Sequence, residues 1–143
     1  MNSVISATTS STYGAAARPS RRDTFLASAE SLLGAARAEL AASRPDLAME
    51  YAYQAALRVA GAVNAQSPVL RKRKRLPTSA WDKLALTGEG GKAWADRFRA
   101  YSRQRGRVAS GIERNLDADL VRRLLKDAES FYIEVHPGDV MAA

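Results

Sequence analysis

The sequence predicts an all-α fold, an up-and-down helical bundle of four main helices plus one short helix. Apolar residues recur at helical spacing in four separate stretches. No run of alternating apolar and polar residues bounded by turns reads as a strand. Pro45, Pro68, Pro77, Gly88 and Gly90-Gly91 punctuate the chain between the periodic stretches. At 143 residues the chain is most simply one domain, long enough to bury a core without staples. Residues 23–136 are expected to form the bundle, 1–22 a disordered N-terminal tail and 137–143 a C-terminal tail.

In the first helix Phe25, Ala29, Leu32, Leu33, Ala36 and Leu40 make one apolar stripe, and Asp23 or Thr24 can cap it. Gly34 costs that helix about 1 kcal/mol relative to alanine, with close approach of a neighbouring helix as the expected compensation. Ser43-Arg44-Pro45-Asp46 reads as a stop and restart, with the serine as cap and the proline in the first turn. The second helix runs to about Gln66. Its face of Leu47 (or Ala48), Tyr51, Ala52, Ala55, Val59, Ala62 and Val63 is mostly small, which suits the central helix of a bundle. The short turn before it makes the two helices antiparallel neighbours.

Ser67 to Pro77 reads as a connector. A short helix through Trp81, Leu84 and Ala85 follows and is stopped by Thr87-Gly88. Trp94, Phe98 and Tyr101 mark a fourth helix with a core-facing aromatic row, weakening near Gly106 and Gly111. Asp117 caps the last helix, whose stripe is Leu120, Leu124, Ala128, Phe131 (or Tyr132) and Val135, with Leu116 placed to staple onto Val121. Pro137-Gly138 ends it.

Composition excludes several chemistries. There is no cysteine, hence no disulfide, thiolate metal site or cysteine nucleophile. A single histidine, His136, excludes a multi-histidine metal site within one chain. Gly88-Glu89-Gly90-Gly91 lacks the Lys-Ser/Thr that completes a phosphate-cradling loop. No cofactor and no metal are expected. No uncharged apolar stretch approaches the roughly 18 residues needed to span a bilayer, and the first 22 residues lack a signal-peptide core. Those 22 residues look superficially like an organellar transit peptide; a tail is the plainer reading. A cytoplasmic protein without a membrane partner is expected.

The net charge of +7 is unevenly placed. Of 22 cations, Arg18, Arg21 and Arg22 account for three and the consecutive run 71–75 for five, leaving 14 against 15 anions. That run (Arg71, Lys72, Arg73, Lys74, Arg75) cannot sit inside a core and must face solvent or an anionic partner. A second local excess stands between Lys92 and Arg107, opposed only by Asp96. Within it Arg99, Arg103 and Arg107 share one helix edge. A solvated face is the bland reading of that edge, and an extension of the basic surface is the sharp one.

Three blocks of residues carry a resemblance. The first helix begins FLASAESLL from Phe25. The second reads YAYQAALRVAGAV from Tyr51 and leads through the basic, proline-containing linker to Ser79-Ala80-Trp81. The chain closes on DADLVRRLLKDAESF from Asp117. Over about residues 23–136 this resembles a small actinobacterial family of HEPN-type domains (higher eukaryotes and prokaryotes nucleotide-binding). The resemblance implies an up-and-down bundle, frequently a homodimer, in a superfamily of RNA-cutting toxins, effectors and non-catalytic RNA or nucleotide binders. Its nucleolytic members carry an Arg, a polar residue and a His four to six positions after the Arg. Here Arg114-Asn115 begins that pattern, but Asp117, Ala118, Asp119 and Leu120 stand where the histidine belongs.

The leading functional expectation is therefore a non-catalytic domain that binds nucleic acid, RNA sooner than DNA, or a nucleotide-bearing partner. The 71–75 run would carry the contact, joined by Arg99, Arg103 and Arg107. A second expectation is a protein-interaction or regulatory subunit acting through helix-face dimerisation. A third is a divergent, metal-independent ribonuclease in which Arg114 meets an acid or base from a dimer partner.

Overall fold

The computed structural model describes residues 18–111 and 116–136. The C-terminal tail, all of the N-terminal tail before residue 18, and Arg114-Asn115 thus lie outside the described residues. Six helices and no strand occur among them: α1 (Arg21–Ala41), α2 (Pro45–Gln66), α3 (Pro68–Lys72), α4 (Ala80–Ala85), α5 (Glu89–Ala109) and α6 (Ala118–Val135).

Several helix ends differ from expectation for local reasons. Ser20, not Asp23 or Thr24, caps α1: its hydroxyl accepts the Asp23 N–H at 3.0 Å. Asp23 then sits in the first turn, where a negative charge opposes the helix dipole. Ser43 is not the cap of α2. It holds a left-handed φ of +61° inside the turn, and Arg44 takes the cap position with no side-chain bond. The Arg44 guanidinium instead pairs with Glu39 across that turn. Pro45 opens α2 as expected.

The connector contains one more helix than expected. Ser67 caps α3 by accepting the Leu70 N–H at 3.3 Å, and Leu70 is buried. Glycine behaves differently at three positions. A Cβ at Gly34 would meet nothing within 4 Å, so no helix approaches there. The close approach is at Gly61, where a Cβ would stand 2.7 Å from the Phe25 ring. Gly91, expected in a loop, lies in the first turn of α5. A Cβ there would collide with the Leu84 carbonyl and the Thr87 hydroxyl at the end of α4. The expected cap at Asp117 is present, accepting the Asp119 N–H at 2.9 Å, and Ser79 caps α4 by accepting the Trp81 N–H at 3.2 Å.

The small-residue helix α2 is central and contacts α1, α4, α5 and α6. Phe25 at the start of α1 meets Gly61 near the end of α2, so the pair is antiparallel. Because α2 has neighbours on several sides, its buried set extends to Met49, Tyr53, Ala56 and Ala60, while Leu47 is exposed. Trp81 of α4 stacks on Phe98 of α5 (5.1 Å), Phe98 stacks on Trp94, and Trp94 stacks on Phe131 of α6. The Trp81 indole N–H donates to the Tyr53 hydroxyl at 2.8 Å, fixing α4 on α2. The aromatic row thus belongs to the core, with Phe98 fully buried and Trp94 and Tyr101 half-buried.

Candidate functional site

At one end of the bundle the start of α1, the last turns of α2, α3 and the start of α4 enclose a cleft of about 460 Å³. Its floor is a face of α2. Leu57, Arg58, Gly61, Asn64 and Ala65 recur at helical spacing there and all line the cleft. Gly61 leaves room for the Phe25 ring to lie against this floor. Asn64 donates from Nδ2 to the Ala80 carbonyl at 3.2 Å, pinning the start of α4, and its buried Oδ1 has no hydrogen-bond partner among the described residues.

The cleft is cationic. Arg21, Arg58, Arg71 and Lys83 line it, each from a different helix, and no carboxylate does among the described residues. None of the four forms an ion pair among the described residues, although the Arg21 guanidinium stands 5.8 Å from the centre of the Phe25 ring. Arg71 links the cleft to the predicted basic run. All five side chains of the 71–75 run are exposed: Arg71 and Lys72 lie in the last turn of α3 and the other three in the following loop. The run is held at both ends, by buried Leu70 before it and by the Ser79 cap and buried Trp81 after it. Within it Arg73 donates from Nε to the Arg75 carbonyl at 3.3 Å.

The second basic excess has a different setting. Lys92 pairs with Asp96 (3.1 Å), Arg97 with Asp127 of α6 (3.2 Å) and Arg99 with Asp82 of α4 and Asp96 (2.5 and 2.9 Å). Arg105 makes a bidentate contact with Glu50 of α2 at 2.7 and 2.9 Å while covering the Tyr53 ring. These contacts shift the carboxylates' chemistry. The hydrogen bond from Arg105 holds Glu50 below the usual carboxylate range, and Lys92 does the same for Asp96. The hydrogen bond to Asp82 raises Arg99 further. Tyr101 is pushed up to about 12, first by burial and then by its 2.8 Å hydrogen bond to Asp127. Arg103 and Arg107 are exposed on α5.

The structure does not bring the acid–base residues together among the described residues. Asp117 caps α6, and Asp119 pairs with Arg122 at 2.6 Å. His136 closes α6 at its far end, stacked on Tyr132. No group of three or more His, Asp or Glu side chains among the described residues is placed to hold a metal ion. Likewise, no helix among them is long and apolar enough to cross a membrane.

The family model described as HEPN_SAV_6107-like HEPN matches residues 38–136. The chain belongs to that family. The matched span covers α2 to α6 whole and the end of α1, so the HEPN domain contains Arg58, Asn64, the 71–75 run and Lys83. Arg21 and Phe25, which complete the cleft, precede it. No curated protein and no solved structure matches the chain.

Sequence reasoning missed Arg58, Lys83 and Gly61. Their only local signal is on α2, where Arg58 and Gly61 share a face with Asn64 that is distinct from the stripe of Ala55, Val59 and Ala62. An isolated arginine in an alanine-rich helix draws no notice until a neighbouring element supplies the rest of the site.

Proposed function

We propose that this HEPN domain binds a polyanion, RNA in the first place, through the exposed 71–75 run and the cationic cleft beside it. The observation that carries the reading is the uneven distribution of carboxylates over the folded surface. Four cations of the α5 excess have carboxylate partners, whereas the run and the cleft have none among the described residues. Cations without carboxylate partners are the ones that gain most from phosphate and release counterions on binding. Arg99 is left out of the contact set because two carboxylates already hold its guanidinium. Arg103 and Arg107 are left out as well: they lie on the part of α5 whose Arg105 is tied to Glu50 near the start of α2, whereas the cleft and the run lie at the end of α2.

The test is fluorescence anisotropy with a labelled RNA strand over a range of salt concentrations. The four-fold variant Lys72→Gln, Arg73→Gln, Lys74→Gln and Arg75→Gln leaves the cleft intact. Each phosphate contact on a single strand contributes about 0.7 to the log–log salt slope, so this variant should flatten the slope by up to about 3. The affinity loss should be similar across sequences. Absence of binding at low salt, or a slope unchanged in the variant, would refute the reading.

A further inference from the structure

We infer that Thr78 is a phosphorylation site for an arginine-directed protein kinase, and that its modification weakens RNA binding by the 71–75 run. The second half of the inference rests on the proposed function; the first half does not. Kinases of this class hold their substrate as an extended segment. They read arginines ahead of the acceptor hydroxyl with carboxylates of their own, so the charge pattern selects the site. Three hydroxyls in the chain follow two arginines at the same spacing. Thr78 follows Arg73 and Arg75, Ser102 follows Arg97 and Arg99, and Ser110 follows Arg105 and Arg107. The sequence does not separate them, but their settings in the fold do.

Thr78 lies in irregular backbone between α3 and α4, is exposed, and forms no hydrogen bond with another described residue. Arg73 and Arg75 are also exposed and meet no carboxylate among the described residues. The contact they give up on entering a kinase groove is the 3.3 Å hydrogen bond from Arg73 Nε to the Arg75 carbonyl. Pro77 has no backbone N–H and disfavours a helical residue before it, so this segment has no helix to unwind. Ser102 lies within α5 and Ser110 at its C-cap. Their arginines are engaged: Arg97 with Asp127, Arg99 with Asp82 and Asp96, and Arg105 with Glu50. The Ser110 hydroxyl already donates to the Arg107 carbonyl at 3.2 Å. Presenting either serine would unwind turns of α5 and break those ion pairs. Ser79 lacks the arginine spacing, and its hydroxyl oxygen accepts the Trp81 and Asp82 N–H groups.

In the transfer, Thr78 Oγ1 attacks the γ-phosphorus of ATP. The new O–P bond forms as the bond to the β-phosphate oxygen breaks, ADP leaves with that electron pair, and the hydroxyl proton goes to a base of the kinase. The phosphothreonine carries about −1.5 to −2 at neutral pH. Placed just after five consecutive cations, it offsets about two of them, so RNA releases fewer counterions on binding.

To test this, the full chain is incubated with magnesium ATP and the purified catalytic subunit of an arginine-directed kinase, and mass spectrometry reads the sites. Short peptides carrying the three sequences serve as the unfolded reference. In the folded chain Thr78 should accept phosphate at least about tenfold faster than Ser102 and Ser110, because only the serines require local unfolding. The three peptides should differ by no more than about threefold. Arg73→Gln together with Arg75→Gln should slow Thr78 by at least about tenfold. No phosphate on Thr78, equal rates at the three sites of the folded chain, or peptides ranked as the folded sites are would each overturn the assignment. In the anisotropy assay the phosphorylated chain should show a salt slope flatter by up to about 1.4, two contacts at about 0.7 each. Kinase treatment should leave RNA binding by Thr78→Val unchanged. An unaltered slope in the phosphorylated chain, or an equal change in treated Thr78→Val, would overturn control of RNA binding by Thr78. Absence of RNA binding by the unmodified chain refutes the proposed function and leaves Thr78 standing as a phosphate acceptor. Run-dependent RNA binding without phosphate on Thr78 overturns this inference alone.

Discussion

Single residues decide how closely these helices approach. The sequence sets Gly34 inside a helix with close helix approach as its expected compensation and Gly91 in a loop, and the structure overturns both readings. Space is open around Gly34, so only its backbone entropy matters there, whereas Gly91 sits against the carbonyl end of α4. Gly34→Ala should raise stability by about 0.5–1 kcal/mol. Gly91→Ala should lower it by about 1–3 kcal/mol, because the colliding Leu84 oxygen is backbone and cannot swing aside. Thermal and urea melts of the two variants should move in opposite directions. A shift in the same direction would mean that the start of α5 does not pack on α4 in this way.

Between elements, the tie of Arg105 on α5 to Glu50 on α2 joins the central helix to the second basic stretch. Glu50 is held below its ordinary pKa by that hydrogen bond. A carboxylate with a lowered folded-state pKa adds stability above its unfolded value, and that contribution fades as pH falls through the folded value. Glu50→Gln should therefore cost stability at pH 7, by less than about 1 kcal/mol because the pair is partly exposed. The difference should narrow below the ordinary glutamate pKa of about 4.3, as the pH falls towards the lowered folded-state value at which Glu50 becomes as uncharged as the glutamine. Urea midpoints measured from about pH 3 to 7 would show this; a difference independent of pH would place the cost in packing and not in charge.

For the molecule as a whole, the distribution of charge is a tertiary property. Counting along the chain, the stretch from Lys92 to Arg107 looks as basic as many binding surfaces, with only Asp96 against six cations. Folding brings Glu50, Asp82 and Asp127 onto it from three other helices. Folding does the opposite at the other end, adding Arg58 and Lys83 to the already basic 71–75 run. Arg99→Gln should consequently leave the salt slope of RNA binding unchanged, since a paired cation displaces few counterions. A slope reduced as much as by loss of one cation of the run would bring Arg99 back into the interface.

By itself the sequence determined the four long helices, the short one at Trp81 and the basic linker, but not α3. Helical periodicity, Pro45 at a restart, the cap at Asp117 and the charge repulsion within 71–75 are all local effects, written in neighbouring residues. The blocks from Tyr51, Ser79 and Asp117 carried the HEPN likeness in the same local way, and the family match covers them. What only the tertiary structure decided is which cations have partners. The carboxylates that hold Arg97 and Arg105 lie 30 and 55 residues away along the chain, one of the two that hold Arg99 lies 17 away, and the cleft gathers its cations from four helices. Coulomb interactions depend on distance in space and on burial, neither of which any spacing along the chain records.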